Sequence, residues 1–487
     1  MPLQVTPLLG REGDLAEVEG LLDLHRLLTI SGSGGIGKTR IALRVGFDLL
    51  DRFPNGAWFC DLSTISNPHD VSRAVAKVLA VRERPDHALS DSIVSWLKRK
   101  HALLIFDNCE HVVGAAAELS DEILHSCQNV RILATSRQSI GVIGEVIYRL
   151  RSLAFPEDTE ALNAAAAMRY SAIALFVDRA RAREHRFALT NDNAVIVGKI
   201  CRRLDGIPLA IELAAARMSV LSVGTLAEKL ANHFRVLSAG GKTGVPRQQT
   251  MRALNDWSYE QLSDAEQALL RRLAIFVGGF TLELADAAHA SETIAEPSVF
   301  DLLASLIDKS LIQTEFGGSA ARYRLLEPTR QYAREKLDES GEYAAVASVH
   351  AMAMLALAEN LDADWESTPD RIVFARAEPE FENWRAALDW ALRQRGDLRV
   401  GQRLAGLLDE MCLRFADVEG WHWVRAASET VDAMTPSAVL ARLELAEAML
   451  CAPLGRYKTS MVAAERAMAL YDRLDDARGL TRAQHYT

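Results

Sequence analysis

Short apolar runs punctuate the first part of the chain, at 27–31, 57–62, 102–106, 130–136 and 146–150. Each reads as a strand. The 102–106 run, Ala-Leu-Leu-Ile-Phe, has no polar position, as in a central parallel strand buried on both faces. Between the runs, helical spacing predicts helices over 38–50, 70–79, 90–100 and 111–126. Strands alternating with helices imply an α/β domain on a parallel sheet with helices on both faces, over residues 1–155.

Past that point the spacing is mostly helical. Segments 167–183, 192–204, 208–217 and 223–230 form a helical domain over 156–240. A loop at 238–247 leads into 241–345, which carries a strand at 322–326. Residues 346–487 are Ala- and Leu-rich helices, and Trp365, Trp384, Trp390, Trp421 and Trp423 read as core packing. Within them 443–450, the turn Gly455-Arg456-Tyr457 and 461–470 look like a tetratricopeptide repeat, with Ala464 and Ala467 as small packing positions. Such repeats need neighbours and a polar cap, and a further helix at 477–484 ends the sequence, so the array reads as truncated or uncapped.

The 27–31 strand runs into Gly32-Ser33-Gly34-Gly35-Ile36-Gly37-Lys38-Thr39, a full match to G-x-x-x-x-G-K-[ST]. Glycines let backbone N–H groups turn inward around phosphates, and the next helix points its positive end at the same anion. Lys38 is expected to reach the β- and γ-phosphates, and the Thr39 hydroxyl to ligate Mg²⁺. Arg40, next in line, is grouped with the cradle. The 102–106 strand ends at Asp107, placed to hold Mg²⁺ as a Walker B acid. A second run, Gly240-Gly241-Lys242-Thr243, lacks the earlier glycine, because position 236 is Val236; it reads as an interdomain loop.

Composition narrows the classes. At roughly 100–200 residues per domain, 487 residues make three or four domains. Lys plus Arg number 55 against 65 Asp plus Glu, a net charge of −10, which disfavours non-specific nucleic-acid binding. Cys60, Cys109, Cys127, Cys201, Cys412 and Cys451 form no C-x-x-C pair, so a reduced, cytoplasmic setting is expected. No apolar run of about 18 residues stands out, and no membrane helix is expected. The N-terminus, MPLQVTPLLGRE, has no signal-peptide pattern.

The cradle, the strand ending Asp107-Asn108-Cys109-Glu110-His111 and the strand ending Ala134-Thr135-Ser136-Arg137 occur in the order seen in the STAND class of signalling P-loop NTPases. The chain resembles its NB-ARC-related bacterial branch, with an AAA-like ATPase domain, a winged helix and tetratricopeptide-like C-terminal helices. Leu8-Leu9-Gly10-Arg11-Glu12 resembles the segment that packs on adenine in this class. Gly206-Ile207-Pro208-Leu209-Ala210 resembles the motif whose proline caps the base. Trp257-Ser258-Tyr259 with Leu262-Ser263, and 324–333, resemble its winged-helix domain. The resemblance implies a nucleotide site of Gly10, Arg11, Gly32, Gly34, Gly35, Ile36, Gly37, Lys38, Thr39, Arg40 and Pro208, with Thr39 and Asp107 on the metal. Arg137 would sense the γ-phosphate. Arg11 alternatively forms a salt bridge with Glu12 or Asp14, and Pro208 also suits a helix start.

Three departures shape the expected chemistry. Asn108 stands where hydrolysing relatives often carry a second acid, and an amide cannot act as a base. Glu110 either polarises water or caps the helix starting near His111. The switch histidine of the NB-ARC branch would align at Leu326, with Glu327 in the acidic position. Slow hydrolysis is therefore expected. The leading function is an ATP- or ADP-binding switch that controls an open or closed state and self-association in transcriptional regulation. A protein partner or small-molecule inducer would act on the C-terminal helices. The alternatives are a DNA-binding regulator using its own winged helix and an ATP-driven remodelling enzyme. Residues 241–345 hold 11 Lys plus Arg against 16 Asp plus Glu, which argues against direct DNA binding and for a gating role.

Overall fold

The computed structural model describes residues 2, 6–65, 67–81, 88–157, 162–230, 246–289, 298–315, 321–365 and 367–487. Five parallel strands form the first sheet: β1 (Leu27–Ser31), β2 (Ala57–Asp61), β3 (Ala102–Asp107), β4 (Val130–Ser136) and β5 (Val146–Arg149), in the order β2-β3-β4-β1-β5. Every residue of β3 is buried. Its side chains alternate between two separate cores. Leu103 and Ile105 join Val18, Leu22, Ile41 and Val45 on one face, while Leu104 and Phe106 join Val75, Ile93, Leu97 and Ile123 on the other. A period of two then puts Asp107 on the same face as Ile105, toward helix Lys38–Asp48. The crossover helices cover both faces, so the strands are apolar throughout and the loops gather at their carboxyl ends.

The helical segments hold with local changes. The 167–183 helix is two pieces, Ala164–Ala167 and Ser171–Arg183. The Asn163 side chain caps the first through the Ala166 N–H. Helix Pro208–Ala215 ends in a 3₁₀ turn, Ala216–Ser219. Residues 238–245, including the Gly240–Thr243 run, lie outside the described residues.

Helices Asp264–Leu273, Leu282–His289 and Val299–Asp308 precede an antiparallel pair, β6 (Ile312–Glu315) and β7 (Arg322–Leu325). Helix Glu327–Glu339 follows. Near the carboxyl end Ser437–Cys451 and Tyr457–Arg473 form a helical hairpin, with Ala448, Ala463, Ala464 and Ala467 buried. One apolar cluster runs from Leu153 to Leu454 through these helical parts, separate from both faces of the sheet, while the second helix of the carboxyl-end hairpin packs in smaller clusters of its own.

Helix Tyr343–Asp364 corrects one expectation. By length and composition it is apolar enough to span a membrane, with a window of mean hydropathy 1.4. Alanines dilute its apolar pattern, which hides it in the sequence. In the fold it is a core helix: Val346, Ala351, Met354 and Leu355 are buried, and the Trp384 indole donates to the Met354 carbonyl at 2.9 Å.

His350 lies on this helix, 3% exposed and edge-on to Phe276 at 5.0 Å between ring centroids. Its Nε2 has no partner among the described residues, and burial pushes its pKa down to about 4. A depressed base is neutral when folded and takes up a proton on unfolding. Stability contributed by the neutral ring is full above the unfolded value of 6.5 and is lost as pH falls from there toward about 4. Between pH 7 and 5 the loss is expected to be about 2 kcal/mol. Urea midpoints of the unaltered chain and of His350→Leu, compared across that window, check it; equal slopes would refute it.

Candidate functional site

β1 delivers the chain to the glycine loop, where the Gly32 N–H donates to the Ser136 carbonyl at 3.3 Å. Gly35 and Gly37 have φ of +75° and +99°, a region that side chains resist. Gly37 caps helix Lys38–Asp48 and, as a glycine, offers its first N–H groups no side chain. A helix start of this kind is built to meet an anion. Lys38 is 7% exposed, and its Nζ donates to the carbonyls of Gly32 at 2.9 Å and Ser33 at 3.3 Å. Burial lowers its pKa; Glu110 and Asp107 oppose that, and Arg137 adds to it.

Asp107 gathers the cradle and two strands. Thr39 Oγ1 lies 2.9 Å from each of its carboxylate oxygens, and Thr135 Oγ1 donates to Oδ1 at 2.5 Å. Asn108 Nδ2 donates to Oδ2 at 3.1 Å. Burial, then the neighbouring Asp61, pushes the Asp107 pKa up to about 7, while Thr135, Thr39 and Lys38 hold it back. A hydroxyl and a carboxylate are the hard oxygen donors that Mg²⁺ takes. Among the described residues no group of three His, Cys, Asp or Glu could hold a metal. A cation here would complete its shell with phosphate and water.

Arg137, at the end of β4, donates from Nε to Glu110 Oε1 at 3.0 Å. Glu110 sits in a 3₁₀ turn, Cys109–His111, and the following helix starts at Val113, so Glu110 does not cap it. Its Oε2 is buried without a partner among the described residues. Asn108, with φ of +59°, donates its N–H to Thr135 Oγ1 at 3.0 Å.

The remaining candidates brace the loop. Arg11 is 4% exposed; it pairs with Asp14 at 2.9 Å and donates to the carbonyls of Arg151 at 2.8 Å and Ile36 at 2.9 Å. The Asp14 bridge and a place beside the cradle thus hold together. Gly10 has φ of +66°, and a Cβ there would lie 2.1 Å from that of Ser171. Arg40 donates to the carbonyls of Thr6 at 2.8 Å and Pro7 at 3.0 Å, and meets Glu212 at 3.8 Å. Pro208 begins its helix, and the next N–H, of Leu209, donates to the Gly35 carbonyl at 3.2 Å.

Four further residues reach the loop from elsewhere. Thr135 orients Asp107; its signal was a buried polar pair, Thr135-Ser136, closing an apolar strand. Met251, Pro328 and Gln331 come from distant helices; Pro328 and Gln331 fall in the 324–333 segment read as winged helix, which did not point to the loop. A Cβ on Gly34 would lie 3.8 Å from Pro328 Cγ, and one on Gly35 3.3 Å from Met251 Sδ. Arg137 NH2 donates to Gln331 Oε1 at 2.8 Å. Gly34, Arg137, Met251, Asn255, Pro328 and Gln331 line a cleft between the loop and these helices.

Comparison with known proteins gives two family matches, an NB-ARC domain at residues 12–152 and a winged helix-turn-helix domain at 262–338. A Mycobacterium tuberculosis protein provisionally named an HTH-type transcriptional regulator is 38% identical over 476 residues, covering 96% of this chain and 52% of the relative. An uncharacterized protein of the same organism is 40% identical over 343 residues, 70% of this chain and 84% of the relative. The regulatory protein AfsR of Streptomyces coelicolor is 28% identical over 69% of this chain and 32% of its own length. The chain thus spans about half the length of the first of these relatives. Among solved structures, a STAND protein with a tetratricopeptide repeat sensor from Pyrococcus horikoshii aligns over 99% of this chain and 77% of its own, with a TM-score of 0.48 and 14% identity.

Arg11→Ala removes the donor to two loop carbonyls and to Asp14. It is expected to destabilise the α/β domain by about 2–3 kcal/mol. Arg11→Lys should recover little, because one ammonium cannot copy the fork. Denaturant unfolding followed by tryptophan fluorescence checks this; an unchanged midpoint for Arg11→Ala would show the fork to be dispensable.

Proposed function

We propose that this chain, which carries an NB-ARC domain followed by a winged helix-turn-helix domain, is a nucleotide-operated switch of the STAND type in transcriptional regulation. One observation carries the reading: Lys38, Thr39 and Asp107 converge on a glycine loop that the lid and the winged helix both touch. On this reading the loop amides and Lys38 grip the β- and γ-phosphates, and Thr39 and Asp107 hold Mg²⁺, which neutralises phosphate charge. Gly10, Arg11 and Pro208 would meet the base; Gly10 packs on Ser171 of the lid, and Leu209, next to Pro208, donates to Gly35. The third phosphate meets Arg137, a cation placed to register its charge. Glu110 Oε2 is free to polarise water, but Asn108 supplies no base, so the nucleotide state is long-lived.

A protein or small-molecule signal on the C-terminal helices would favour the open form, which exposes surfaces for self-association. Nucleotide and signal shift the balance only by their difference in affinity for the two forms. Direct DNA binding through the winged helix is the weaker reading. Its third helix, Val299–Asp308, presents Asp301 and Asp308 and carries no Lys or Arg.

Calorimetry with ADP and ATP in magnesium tests the proposal. The unaltered chain should bind adenine nucleotide, and Lys38→Ala should lose that binding while staying folded. Binding unaffected by Lys38→Ala would overturn the site. Steady-state turnover is expected well below about 1 s⁻¹, under the lower end of ordinary enzyme rates; fast turnover would favour a remodelling enzyme instead.

A further inference from the structure

We propose that Gln331 sets the nucleotide preference of the closed form, by occupying the guanidinium that a third phosphate would claim. This rests on the switch reading above and assigns its diphosphate selectivity to one residue of the winged-helix side.

Gln331 lies on helix Glu327–Glu339, 194 positions from Arg137 in sequence. Its amide is oriented by chemistry on both sides. Arg137 can only donate, so it faces the amide oxygen at 2.8 Å; the Glu327 carboxylate can only accept, so it faces the amide nitrogen at 2.8 Å. Glu327 is itself held by Arg330 at 2.9 and 3.1 Å. Pro328, one turn earlier, sits over Gly34 at the loop mouth. The helix start is therefore packed on the cradle, with Gln331 placed on the sensor.

Arg137 spends Nε on Glu110 and NH2 on Gln331 in this arrangement. A γ-phosphate is a stronger acceptor than a neutral amide, and the guanidinium would leave Gln331 for it. A diphosphate makes no such demand. The cleft that holds this contact also contains Asn255, 6% exposed, whose Oδ1 has no partner among the described residues. Polar groups from the winged-helix side thus line the place where a third phosphate would extend. Closed protein should then favour the diphosphate, and by linkage the triphosphate should favour opening by the same factor.

The test is a cycle of Gln331→Leu, Arg137→Ala and the double variant, each measured for ADP and ATP dissociation constants by calorimetry in magnesium. Melting curves check that each variant is folded. Gln331→Leu is expected to shift the ADP-over-ATP preference toward ATP by about tenfold, the scale of one hydrogen bond to a charged group. It should also speed ADP release. In the Arg137→Ala background the same substitution should leave the preference unchanged, which a merely structural role for Gln331 would not produce. If the unaltered chain binds both nucleotides and Gln331→Leu moves the ratio less than twofold, the latch is overturned and the switch stands. Should the unaltered chain bind neither nucleotide, the switch reading falls and takes the latch with it.

Discussion

A carboxylate buried at the end of β3 is the constraint on which the rest depends. Asp107 is 1% exposed, which a charge tolerates only with its acceptors filled. Two hydroxyls and an amide fill them. The two hydroxyls come from the cradle helix and from β4, and the amide from Asn108 next in the chain, so the need to satisfy one charge ties the cradle to β3 and β4. It also fixes the Thr39 hydroxyl at the point where a cation would enter. Burial and the neighbouring Asp61 outweigh these bonds and push the Asp107 pKa up to about 7. An ion that displaced the residual proton would relieve the same penalty.

Apolar packing is distributed so that polar contacts can decide the domain arrangement. The two faces of the sheet have their own cores, and one further cluster binds the lid, winged helix and C-terminal helices together. Between the cradle and this helical body the contacts named above include two single hydrogen bonds, Leu209 to Gly35 and Arg137 to Gln331, beside the Arg40–Glu212 pair and the close approaches of Gly10 to Ser171, Gly34 to Pro328 and Gly35 to Met251. Such bonds have a net worth of about 0.5–3 kcal/mol each, within reach of what a ligand can replace. A large shared apolar interface would be far harder for a nucleotide to shift.

How much of this was legible depended on sequence distance. The strand at 102–106 was plain because burial on both faces leaves no polar position, and the acid after it followed from the register. The cradle was plain because its glycines have no cheaper explanation. Arg11 reads as either salt bridge or site in the sequence, and the fold gives it the Asp14 bridge together with a bond to the Ile36 carbonyl of the loop. The break at 168–170 was hidden because Ala-rich sequence continues a helix pattern across it. Gln331 was invisible for a different reason. Nothing in a glutamine on a polar helix face announces that folding will bring it to an arginine on the other side of the molecule.

The acidic balance of the winged-helix segment acquires a physical reason in the fold. Arg252 pairs with Glu335, Arg271 and Arg272 with Glu342, Lys309 with Glu266, Arg322 with Glu380, and Arg330 with Glu327. Exposed pairs among these are individually weak. Together they pair these cations with acids of the same segment and with Glu380. The lid adds to this: Arg183 reaches Asp308, the Ile307 carbonyl and Ser310 at the end of the third helix. A duplex needs a positive face with free donors. In this module Asp301 and Asp308 are exposed on the third helix, while Pro328 lies beside Gly34 of the glycine loop and Gln331 accepts from Arg137.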